Sequence, residues 1–139
     1  MTLSKSRRFA RTIAVSAVVG VAGLVGAASP AQAKTFSCGD LAVSKTPAGL
    51  KGGYITQITV TGSYTTKSSA CKSGRSLALG YYKCRAAKGI KANCSGRTIN
   101  GLKCSESRPA DSQSDDQINA RVTCKKGSKK IVHSYQQNL

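Results

Sequence analysis

Six cysteines constrain this chain more than any other feature: Cys38, Cys71, Cys84, Cys94, Cys104 and Cys124. An even set in a short chain bound for an oxidising compartment reads as three disulfides, each contributing roughly 2–4 kcal/mol to a small fold. Six cysteines allow fifteen connectivities, which sequence alone does not resolve. No C-x-x-C pair occurs, and His133 is the only histidine. Zinc sites and thioredoxin-like centres need closely spaced ligands or thiols, so no metal and no cofactor are assigned.

The compartment follows from the N-terminus. Lys5, Arg7, Arg8 and Arg11 precede an apolar run over residues 12–28, followed by Pro30 and the tripeptide Ala31-Gln32-Ala33. Basic, apolar and small-residue regions in that order form a secretory signal peptide. The run is near the shortest length that spans a membrane, but it is mostly Ala, Gly and Val and ends in a cleavage-type site. The expected organisation is a signal peptide over residues 1–33 and one small disulfide-bonded domain over residues 34–139. That domain is secreted and extracellular, without stable membrane insertion after cleavage. Losing residues 1–33 removes four of the 22 basic residues and none of the five acidic ones, so the net charge falls from +17 to +13. Such a polycation is drawn to polyanions by long-range forces.

Hydrophobic periodicity sets the fold class. YITQITVT, residues 54–61, alternates as a half-buried strand, with Tyr54 and Thr56 on the parity of Ile58 and Val60. The segment 68–88 places Ala70, Cys71, Gly74, Leu77, Ala78, Tyr81 and Cys84 on one face of an amphipathic helix of about 15–17 residues, capped by Ser68 or Ser69. Cys71 and Cys84 would lie about 20 Å apart on it, too far for a bridge. Cys84–Cys94, across a short turn-rich stretch, is the favoured pair, and the other four cysteines tie the helix and N-terminal segment to the sheet. Asn100-Gly101 suits a hairpin turn or a bulge. INARVTC (118–124) and KIVHSYQ (130–136), joined by about five residues around Gly127, read as a terminal hairpin. The fold class is α+β: one amphipathic helix packed on a small antiparallel β-sheet, stapled by disulfides.

The helix opening with Cys71, Gly-Leu-Lys-Cys at 101–104 and Val-Thr-Cys-x-x-Gly at 122–127 follow a β-rich segment and a signal peptide. This order resembles the small secreted cysteine-containing proteins of unknown function that are widespread in actinobacteria. Leu102 stands where that group often carries an aromatic. The resemblance implies a compact domain with a helix against an antiparallel sheet, and it carries over no catalytic residue.

Lys125, Lys126, Lys129 and Lys130 crowd the hairpin tip and are the candidate polyanion-binding residues. The expected function is non-catalytic binding of an anionic surface or polymer, such as an anionic cell-envelope polymer. An extracellular protein-binding module is the alternative, for example a hydrolase inhibitor presenting residues 102–112 beside Cys104. A ribonuclease-like enzyme is the third reading. Its chemistry needs a base, an acid and a cation, for which Glu106, His133 and Arg121 are the candidates. Strand parity opposes it. Arg121 points away from the apolar face of Ile118, Ala120, Val122 and Cys124, whereas His133 shares a face with Ile131 and Tyr135 as a half-buried histidine bonded to a neighbour. Residues 111–116 hold three aspartates but lack the central glycine and closing glutamate of a calcium loop.

Overall fold

The structure, a computed structural model, describes residues 32–41, 54–89 and 91–139. Apart from Gln32 and Ala33, the signal peptide assigned to residues 1–33 lies outside the described residues. The strands are β1 (Lys34–Ser37), β2 (Tyr54–Gly62), β3 (Thr98–Ile99), β4 (Leu102–Ser107), β5 (Gln117–Lys126) and β6 (Lys129–Asn138). They form one antiparallel sheet in the order β1-β2-β6-β5-β4-β3. A single helix, α1 (Lys67–Ala86), covers one face of this sheet. This is the α+β architecture that the periodicity implies.

The helix starts earlier and runs longer than the sequence suggests. Thr66, in extended backbone, is the N-cap in place of Ser68 or Ser69, and its hydroxyl accepts from the Ser69 backbone N–H at 3.1 Å. The expected face is buried except for Cys84, which is half-buried, and Tyr82 and Arg85 join it; α1 spans 20 residues. Gly74 explains itself by contact: a Cβ there would lie 2.6 Å from Val60 Cγ2 and 2.9 Å from Ile58 Cγ2. The glycine lets the helix settle directly on β2.

Two hairpins follow from their turn residues. Asn100 and Gly101 both have positive φ (47° and 78°) and join β3 to β4 as a two-residue turn, so the hairpin reading holds over the bulge. The terminal hairpin is tighter than five linking residues. Only Gly127 and Ser128 turn the chain, and Lys125 and Lys126 pair with Lys130 and Lys129 inside the ladder.

β2 departs from simple alternation. Gln57 has φ of 53°, and between the pairs Thr56↔Ser134 and Thr59↔Val132 two residues oppose one. The bulge reverses the parity of the strand's first part. Ile55 joins Ile58 and Val60 in the core, and Tyr54 faces out with 52% exposure.

Three disulfides pin these pieces: Cys38–Cys71, Cys84–Cys94 and Cys104–Cys124. The first fastens the segment after β1 to the start of α1. The second ties the end of α1 to the stretch before β3. The third joins directly opposed residues of β4 and β5. Bridges of this kind fit an extracellular setting, and no described helix is long and apolar enough to cross a membrane.

Candidate functional site

Two features hold the chain's polar chemistry, one on each face of the sheet. Under the helix lies a buried cluster. The Glu106 side chain is 1% exposed, and its carboxylate accepts from Tyr81 Oη at 2.6 Å, Tyr135 Oη at 2.9 Å and Arg108 Nε at 2.5 Å. Arg108 also donates to the carbonyls of Lys91 and Ala92 at 2.9 Å. Arg85, fully buried, sets its guanidinium 3.8 Å over the Tyr135 ring and donates from Nε to Ala92 O at 3.1 Å. Burial and then the Glu106 hydrogen bond hold the Tyr81 phenol well above its usual range. Burial pushes Tyr135 up to about 12.

Each member of this cluster is committed to the fold. Glu106, Arg108 and Arg85 each meet partners on α1, β4, β6 or at Lys91 and Ala92, as buried charge requires. The crevice between Tyr81, Tyr82, Arg85, His133 and Tyr135 has no volume that a water molecule enters. His133 is 1% exposed rather than half-buried, and among the described residues its Nδ1 has no hydrogen-bond partner, where a bonded neighbour is expected. Burial, with the Arg85 charge second, lowers its pKa to about 4, so it is neutral near pH 7.

The three ribonuclease candidates are not brought together. Glu106 and His133 face the helix. Arg121 is exposed on the opposite face, between Ser107 and Ser134 in register. The inhibitor segment is also split. Residues 102–107 form β4, between β3 and β5, and only residues 108–112, with a 3-10 turn at Ala110–Ser112, lie outside the sheet.

The second feature is the sheet face turned away from α1. Following the register strand by strand, Thr35, Thr61, Lys130, Lys125, Lys103 and Thr98 stand directly opposite one another across all six strands. Adjacent strands are about 4.8 Å apart, so the three lysines form a row about 10 Å long. All three are exposed. No strand position on this face carries a carboxylate. A hollow of about 410 Å³ lined by Gly96, Lys103, Ser105 and Lys125 adjoins the row.

The four tip lysines therefore separate. Lys125 and Lys130 belong to the open-face row. Lys126 and Lys129 sit one step further on and point to the helix side, where the Lys129 ammonium lies 5.2 Å from the Tyr64 ring centroid. Lys103 is the member that sequence reading missed. Its signal was the cysteine spacing: Lys103 precedes Cys104 and Lys125 follows Cys124, so a cross-strand Cys104–Cys124 bridge places the two lysines opposite each other. Comparison with known families, curated proteins and solved structures returns no match, and the site is read from its geometry alone.

Proposed function

We propose that this chain is a secreted, non-catalytic binding protein for an anionic polymer, and that Lys103, Lys125 and Lys130 are its contact residues. The observation that carries this reading is the three-lysine row. Like charges directly opposite on neighbouring strands destabilise a sheet, and no carboxylate offsets these. The fold gains nothing from the row, whereas a polyanion laid across the strands meets all three charges at once. The disulfides suit the extracellular setting in which such a polymer is met.

The test is charge removal by position. Lys103→Gln, Lys125→Gln and Lys130→Gln together should elute from a heparin or polyphosphate column at clearly lower salt, with a shallower salt dependence because fewer counterions are released. The same number of lysines taken from α1 and the turn after it, Lys72, Lys83 and Lys88, all exposed, lowers net charge equally. Equal elution of the two variants would show that total charge alone governs binding and would end the claim of a site.

A further inference from the structure

The rest of the open face says which kind of polyanion fits, and this step rests on the reading of the lysine row as the contact surface. One row inward, Thr59, Val132, Thr123 and Ser105 stand opposite one another. Two rows inward stands Arg121 between Ser107 and Ser134. From Lys125 to Arg121 is four residues along β5, about 13 Å at 3.3–3.4 Å per residue. The face thus offers a line of cations, a line of hydroxyls and a further cation. The hydroxyls of Thr59 and Thr123 have no hydrogen-bond partner among the described residues, the Ser105 hydroxyl donates to the Thr123 carbonyl at 3.3 Å and keeps its lone pairs for a ligand donor, and the Thr35 and Thr61 hydroxyls bond each other at 3.0 Å. A second hollow of about 320 Å³ lies beside Arg121, with Thr56, Asn119 and Ser134 in its lining.

We propose that the ligand is an anionic glycan, whose acidic groups meet the lysine row and Arg121 while its sugar hydroxyls bond the Thr59, Thr123 and Ser105 hydroxyls between them. A polymer of bare charge, such as polyphosphate, uses only the cations. Single-stranded nucleic acid is held by aromatic platforms on which bases stack. Among the described residues the sole aromatic on this face is Tyr54, seven residues along β2 from the lysine row. Hydroxyl-bearing side chains are what a chain of sugars requires, and they make up most of the second row.

The experiment titrates the oxidised protein with polygalacturonate, polyphosphate and oligo(dT) by calorimetry. Thr59→Val, Thr123→Val and Ser105→Ala together leave every charge in place. This variant should lose about fivefold or more in affinity for polygalacturonate, from the loss of several hydrogen bonds, and nothing for polyphosphate. Thr59→Ser with Thr123→Ser, which keeps both hydroxyls, should retain polygalacturonate affinity and so separates lost contacts from a disturbed sheet. Equal affinities of the hydroxyl-deleted variant and the parent for polygalacturonate would overturn the glycan assignment while leaving the lysine row standing. Tighter binding of oligo(dT) than of polygalacturonate would overturn it in favour of nucleic acid. If removing the three lysines changes neither polymer, the underlying reading fails, and the glycan assignment with it.

Discussion

His133 shows what burial does to a single ionisable group. Its ring packs edge-on to Tyr81 with centroids 5.8 Å apart, and its Nδ1 has no hydrogen-bond partner among the described residues. With a folded pKa near 4 against an ordinary 6.5, the folded chain refuses a proton that the unfolded chain accepts. The histidine's contribution is therefore fully present above pH 6.5, declines as pH falls from 6.5 to about 4, and is level below that. The swing is about 3 kcal/mol by linkage. Urea titrations of the parent and His133→Gln should show stability curves that converge as pH drops through this window. Parallel curves would mean that His133 does not titrate there. Gly74 makes a second residue-scale case. Helix propensity alone favours Gly74→Ala by about 1 kcal/mol, but the added methyl meets Val60 at 2.6 Å, and overpacking costs about 1–3 kcal/mol. A thermal melt should show net destabilisation. Helical spacing places this glycine on the apolar face without a reason for its being glycine, because the reason lies on β2.

At the scale of elements, long periodic stretches were legible and their interruptions were not. The helix face from Ala70 to Tyr81 follows from 3.6-residue spacing, and the Cys84–Cys94 bridge spans the short turn-rich stretch that makes it the favoured pair, helix length excluding only Cys71–Cys84. Arg85 escaped because a charged residue joins the core only where Tyr135 and the Ala92 carbonyl receive it, and neither is local in sequence. Ile55 escaped because one inserted residue reverses strand parity, and the bulge carries no glycine to announce it. Gln57 instead holds the left-handed conformation with its N–H donating to Asp40 at 3.1 Å. That conformation costs an L-residue roughly 1–2 kcal/mol, more for a β-branched one. Gln57→Val, which strand propensity would favour, should therefore lower the urea midpoint, and Gln57→Gly should not. If valine stabilises the protein, β2 runs without a bulge. The lysine row was half legible for the same reason: a turn brings Lys125 and Lys130 together, whereas Lys103 arrives through register.

At the scale of the whole molecule, the two ends of the terminal hairpin carry opposite charge. The open-face lysine row and the β5–β6 tip occupy one end of the sheet. Asp111, Asp115 and Asp116, all exposed, sit in the β4–β5 connection at the other end. Nine residue steps along β5, from Gln117 to Lys126, separate the two ends by about 30 Å. The Debye length at physiological ionic strength is about 8 Å, so each end acts on a ligand almost independently. Placement should then outweigh net charge. Changing Asp111, Asp115 and Asp116 to Asn raises the net charge by three, as much as replacing the three row lysines by Gln lowers it. The aspartate variant should nonetheless leave a heparin column at nearly the salt concentration of the parent, while the lysine variant leaves early. At ionic strengths near 0.01 M, where the Debye length reaches about 30 Å, the aspartate variant should begin to bind more tightly than the parent. Equal and opposite shifts at physiological salt would mean that the molecule meets polyanions as a uniform positive body, without a binding end.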